Sequence, residues 1–167
     1  MNSKQVVAAI SAIVLVIILV YPAVSVGTVS VLLASTRIKK ADHVYITIDS
    51  IWAHPKGQAT GGAWVLISNQ SLSTDLVSLE NSSRFLASGQ ISSGNYDSIR
   101  IDVSNVTWVF NKTRTTVGVA SPDIDGSVDF SVGAARTASI LVTLSSQEEL
   151  IASSEYFTGT MNATLTT

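Results

Sequence analysis

The sequence predicts an all-β protein, an antiparallel two-sheet sandwich, preceded by one N-terminal transmembrane helix. Three observations carry that prediction. After Gly27, apolar residues recur at every second position in about eight short runs, and such alternation marks half-buried strands. Clusters of glycine, serine and asparagine separate the runs, the spacing of a sandwich rather than of a solenoid. Before Gly27 the chain reads VVAAISAIVLVIILV over Val6–Val20. A helix that is apolar on every face needs lipid around it.

Taken in order, residues 1–26 form the signal-anchor. Ser11, Tyr21, Pro22 and Ser25 are the interruptions between Val6 and Val26, which is length enough to span a bilayer. Lys4 precedes the run and suits a cytoplasmic start, although Arg37, Lys39 and Lys40 on the far side weaken the charge argument. Cleavage after Ala23-Val24-Ser25 is the competing reading. Residues 27–167 form one extracytoplasmic domain. Its first strand is Thr28–Ala34, and Thr36–Asp42 is a loop. Val44–Asp49 alternates cleanly, and its extension Ser50–Ala53 loses register, as at a bulge. Residues 55–62 turn, Ala63–Ser68 is a strand, and Leu72–Leu79 pairs or crosses over. Asn81–Ala87 reads as one or two helical turns. Tyr96–Phe110 is the longest strand, and its apolar phase shifts by one residue near Asn105. Thr115–Ala120, Val128–Val132, Ser139–Leu144 and Tyr156–Leu165 complete the strands, with a short helix-forming stretch at Gln147–Ala152.

Composition narrows the function. The chain has 10 Lys+Arg against 12 Asp+Glu, 13% charged residues and no cysteine. No basic surface exists to displace phosphate counterions, so nucleic acid is not a partner. Disulfides, thiol nucleophiles and cysteine-bound metals are excluded. Five of the seven asparagines begin N-x-S/T without proline: Asn69, Asn81, Asn105, Asn111 and Asn162. With serine and threonine about a quarter of the chain, chance would place roughly two. The excess points to N-glycosylation and puts the domain outside the cell.

Two stretches carry a family resemblance. One is Gly27-Thr28-Val29 with Val44-Tyr45-Ile46-Thr47-Ile48-Asp49-Ser50-Ile51-Trp52-Ala53-His54. The other is Asp75–Leu79, Leu86–Gly89 and Ile91–Ile101, ending in Gly94-Asn95-Tyr96-Asp97-Ser98-Ile99-Arg100-Ile101. Together they resemble the domain-of-unknown-function family 4382 of archaeal and bacterial extracytoplasmic proteins, over about residues 27–167. The resemblance implies a prealbumin-like β-sandwich and no established activity. Ala34-Ser35-Thr36 and Ile140–Leu144 lack acidic residues that the family pattern carries, so a cation role there is not implied for this chain.

Candidate sites are few. Asp123-Ile124-Asp125-Gly126-Ser127-Val128-Asp129 places Asp123, Asp125 and Asp129 as a candidate calcium loop. The alternative is a hairpin, with Asp125-Gly126 supplying the turn. His43 and His54 have only carboxylates as partners for zinc, and His54 reads as a surface or half-buried ring beside a turn. Asp49 and Asp102 read as solvent-facing or paired with Arg100 or a lysine. Trp52, Trp64 and Trp108 offer a sugar platform, against the commoner reading of core residues. No G-x-S-x-G elbow or phosphate loop occurs, and no catalytic pair can be named. The expected function is therefore non-enzymatic: a single-pass, membrane-tethered, N-glycosylated extracellular sandwich with a structural or adhesive role at the cell surface. The alternatives are a filament subunit, joined by strand exchange or by its helix, and a calcium- or carbohydrate-binding module. Expected partners are the membrane, through the N-terminal helix, and neighbouring copies of the chain.

Overall fold

The alternating runs pair into eleven strands and one 3₁₀ turn, described by a computed structural model over residues 25–38, 41–59, 62–146 and 156–166. The predicted transmembrane helix and the stretch Gln147–Ala152 lie outside those residues. The strands are β1 (Val26–Ser35), β2 (His43–Pro55), β3 (Val65–Ser68), β4 (Leu72–Asp75), β5 (Arg84–Ser92), β6 (Gly94–Phe110), β7 (Thr113–Val119), β8 (Asp123–Val132), β9 (Thr137–Ser146), β10 (Tyr156–Phe157) and β11 (Gly159–Thr166). One sheet, A, has the order β11-β9-β1-β5. The other, B, runs β10-β7-β6-β2-β3, with β4 also on β2 and β8 also on β6.

Alternation fixes which side of each strand is buried. Val29, Val31 and Leu33 of β1, with Ile140, Val142 and Leu144 of β9, line the inner face of sheet A. Val44, Ile46 and Ile48 of β2 and Ile99, Ile101 and Val103 of β6 line that of sheet B. All belong to one apolar cluster, so the two sheets share a single core.

Several expectations are corrected. The sheets are not wholly antiparallel: β1 runs parallel to β9, and β10 parallel to β7. The cause is where β8 ends. Val132 pairs with Gly94, and the following turn returns Ala135 N–H to the carbonyl of Val26. The chain thus enters sheet A beside the start of β1 and must run the same way. Asn81–Ala87 is not helical. From Arg84 it extends along β1 as β5, because Leu86 and Ala87 gain burial there. Leu72–Leu79 divides into β4 and the 3₁₀ turn Val77–Leu79. Tyr156–Leu165 divides at Thr158, with β10 in sheet B and β11 in sheet A. Asp125-Gly126 is not a turn; both residues lie inside β8.

The irregularities fall where the apolar phase slips. Thr47 pairs with Asn105 but Ile48 with Val103, which leaves Ser104 as the extra residue of β6. Ile48 pairs with Val103 and Ser50 with Asp102, so Asp49 is extra on β2. At one seam β3 and β5 approach so closely that a Cβ on Gly89 would stand 1.8 Å from the carbonyl oxygen of Ile67. Only glycine permits that contact.

Candidate functional site

Charge is unevenly shared between the two sheets. Arg84 is the one charged residue in the four strands of sheet A, so ionic chemistry belongs to the outer face of sheet B.

The Asp49 bulge builds the site there. Before it, even-numbered residues of β2 face the core; after it, Ile51 and Ala53 do. Ser50, Trp52 and His54 are thereby turned to the outer face, because a one-residue slip exchanges the two faces of a strand. Register then sets three rows across β2, β6 and β8: Ser50–Asp102–Asp123, Trp52–Arg100–Asp125 and His54–Ser98–Ser127. Trp64, just before β3, folds over these rows.

The result is an open cleft of about 330 Å³ lined by Trp52, Trp64, Arg100, Asp102 and Asp123. Trp52 Nε1 donates to Asp102 Oδ2 at 2.7 Å and to Ser50 Oγ at 2.9 Å, and Ser50 Oγ also donates to Asp102 Oδ2. Arg100 grips Asp125 with two parallel bonds, Nε to Oδ1 at 2.7 Å and Nη2 to Oδ2 at 2.9 Å. Its Nη1 lies 3.3 Å from Asp123 Oδ2. The guanidinium sits 4.2 Å from the centre of the Trp64 ring, a cation–π stack. The bonds to Asp125, with its charge and those of Asp123 and Asp102, push Arg100 above its ordinary pKa against the opposing effect of burial. It remains a permanent cation among three carboxylates.

Behind the cleft, Trp64 packs against His54 with ring centres 5.1 Å apart. His54 is buried rather than a surface ring, at 6% exposure. Its Nδ1 meets Asp97 Oδ1 at 2.9 Å. Asp97 can turn toward it because the register slips between Tyr96 and Ser98, where Asp97 is the extra residue opposite β2. A carboxylate only accepts, so Nδ1 carries the proton, and the buried Nε2 has no hydrogen-bond partner among the described residues. The His54 hydrogen bond, aided by Ser98 and by the charges of His54 and Lys56, holds Asp97 below the usual carboxylate range.

A second polar group lies toward the other end of β2. His43 Nδ1 contacts Asp75 Oδ2 at 2.8 Å, while Asp75 Oδ1 accepts from the backbone N–H of Val44 and Val77. That carboxylate ties the end of β4 to β2 and serves the fold.

The expected site residues distribute as follows. Asp123 and Asp125 face outward on β8 and are held by Arg100, whereas Asp129 pairs with Lys56 at 2.9 Å. On a strand rising about 3.3 Å per residue, Asp129 stands roughly 13 Å from Asp125. A turn would have gathered the three carboxylates; a strand spreads them, and no group of three His, Asp or Glu able to hold a metal occurs among the described residues. Asp49 accepts from Ser71 Oγ at 2.7 Å. Asp102 engages Trp52 and Ser50 rather than Arg100. Trp108 packs against the core, so of the three tryptophans only Trp52 and Trp64 share the cleft. All five sequon asparagines are exposed.

The family model described as Domain of unknown function (DUF4382) matches residues 26–160, a stretch that holds every strand of the cleft. No curated protein and no solved structure matches the chain.

Proposed function

The chain belongs to the DUF4382 family of domains of unknown function, and from that premise we propose that it is a membrane-tethered, N-glycosylated surface domain with a structural or adhesive, non-catalytic role. The apolar segment Val6–Val20 is the tether, and residues after 26 lie outside the cell. The sandwich is read as prealbumin-like.

One observation carries this reading: where the acceptor asparagines sit relative to the entry of the chain. β1 starts at Val26, next to the apolar segment, and ends at Ser35. Asn162 pairs with Thr143, which pairs with Ala34. Asn81 precedes Arg84, which pairs with Leu33. Asn111 lies in the hairpin beyond Val109, which pairs with His43 at the start of β2. These three sequons are level with the far end of β1, and Asn69 and Asn105 lie between the ends. Asn95 is the one other asparagine among the described residues and is in no sequon. It sits at the near end, its carbonyl accepting from Lys56 N–H. With Val26 at the bilayer, three acceptors stand at the end away from lipid, two lie on the flanks and none is at the near end, so transferred glycans meet no steric bar.

Intact mass spectrometry of the native protein from a membrane fraction tests the reading. The expected result is a chain that keeps its N-terminal segment and carries glycan mass at several of the five asparagines. Full-length, sugar-free protein recovered from the soluble fraction would overturn it.

A further inference from the structure

The geometry points to the cleft of Trp52, Trp64, Arg100, Asp102 and Asp123 as a carbohydrate-binding site for neutral hexose units. It goes beyond the tether reading and does not depend on it, since every group named lies on the folded domain.

Ligand chemistry follows from the groups on offer. Pyranose rings carry an apolar C–H face and a rim of hydroxyls, so a site for them pairs aromatic rings with hydrogen-bonding groups that fix orientation. Trp52 and Trp64 are half-buried on the outer face rather than sunk in the core. Asp102 receives its bonds on Oδ2, and Asp123 meets Arg100 through Oδ2. Oδ1 of each carboxylate has no hydrogen-bond partner among the described residues and can accept from a hydroxyl. Arg100 spends two of its five N–H hydrogens on Asp125, and Nη1, in ion-pair contact with Asp123, carries donors that a hydroxyl oxygen can meet.

Charge selects among sugars. Three carboxylates, Asp102, Asp123 and Asp125, surround one guanidinium, an excess that repels uronates and phosphorylated sugars. The site is also rigid before any ligand arrives. Asp102 holds Trp52, Asp125 holds Arg100, and Trp64 is braced by Arg100 and by a tilted contact with the buried His54. Little ordering remains to be done on binding, which favours affinity.

Titration of the full-length chain in lauryldimethylamine oxide micelles, a detergent without a sugar headgroup, decides the matter. Maltotriose, cellotriose, mannotriose and trigalacturonate are the probes, followed by tryptophan fluorescence and calorimetry. At least one neutral trisaccharide is expected to bind and shift the emission, and trigalacturonate is not. Trp64→Ala and Asp123→Ala should each weaken binding about tenfold or more, while Trp108→Phe leaves it unchanged. Asp123 is half-exposed near a strand end, so its variant keeps the fold and decides alone if Trp64→Ala does not fold. The assignment is overturned if no neutral trisaccharide binds, if the acidic one binds best, if a calcium chelator abolishes binding, or if binding survives substitution of the two residues in folded protein.

Discussion

Asp97 couples the site to pH. Its folded-state pKa is depressed, chiefly by the bond from His54. The stabilisation it provides is therefore complete above the unfolded carboxylate value, about 4, and is lost as pH falls through the lower folded value. Urea midpoints measured from pH 6 to pH 2 should drop through that window, and Asp97→Asn should flatten the acid limb. An equally steep limb in the variant would mean that other carboxylates set it. Arg100 is a second test at this scale. Lysine keeps the charge but gives up the two-bond grip on Asp125 and the planar stack on Trp64, so Arg100→Lys should cost about 1 kcal/mol in a denaturant titration. Gly89 is a third. A methyl group there collides with the backbone of Ile67, and Gly89→Ala should destabilise by about 2–3 kcal/mol as β3 and β5 are forced apart.

At the scale of the element, hairpin β6–β7 shows local chemistry acting against sequence preference. Its two turn residues, Asn111 and Lys112, have φ of 47° and 65°, the two positive angles of a type I′ turn. Asparagine accepts that conformation, whereas lysine is strained in it. Lys112→Gly should stabilise the protein by about 0.5–1 kcal/mol, read as a higher melting temperature, and it keeps the sequon as Asn-Gly-Thr. β2 makes the complementary point. Its bulge at Asp49 decides that Trp52 and His54 face out while Ile51 and Ala53 enter the core. The phase slip at Ser50–Ala53 was legible in the alternation of apolar residues. What it achieved was not, because the carboxylates that Trp52 and His54 bond come from β6, more than forty residues later.

For the whole molecule, the proposed glycans and tether are to be tested together. β11 is an edge strand of sheet A and carries Asn162. Edges with free N–H and C=O groups recruit neighbouring strands unless they are covered. Replacing all five acceptor asparagines with glutamine should leave the melting temperature nearly unchanged but raise self-association, as seen in sedimentation velocity. A quintuple variant that stays monomeric would remove the shielding role. Assembly by exchange of β1 faces a barrier of its own, since Val29, Val31 and Leu33 would have to leave a core in which they are at most 1% exposed.

The linear chain by itself determined the all-β class, the two-layer core, the phase slips at Ser50–Ala53 and near Asn105, and the absence of cysteine chemistry. Each of these depends on periodicity or composition, which are properties of near neighbours. Tertiary structure alone decided the parallel pairing of β1 with β9, the extension of residues 84–87, expected as helical turns, into β5, and the absorption of Asp125-Gly126 into β8. It alone brought Trp64 over Arg100 and set Asp102 against Trp52. Those outcomes depend on which strands lie side by side and in what register, and that is set by burying all the inner faces at once.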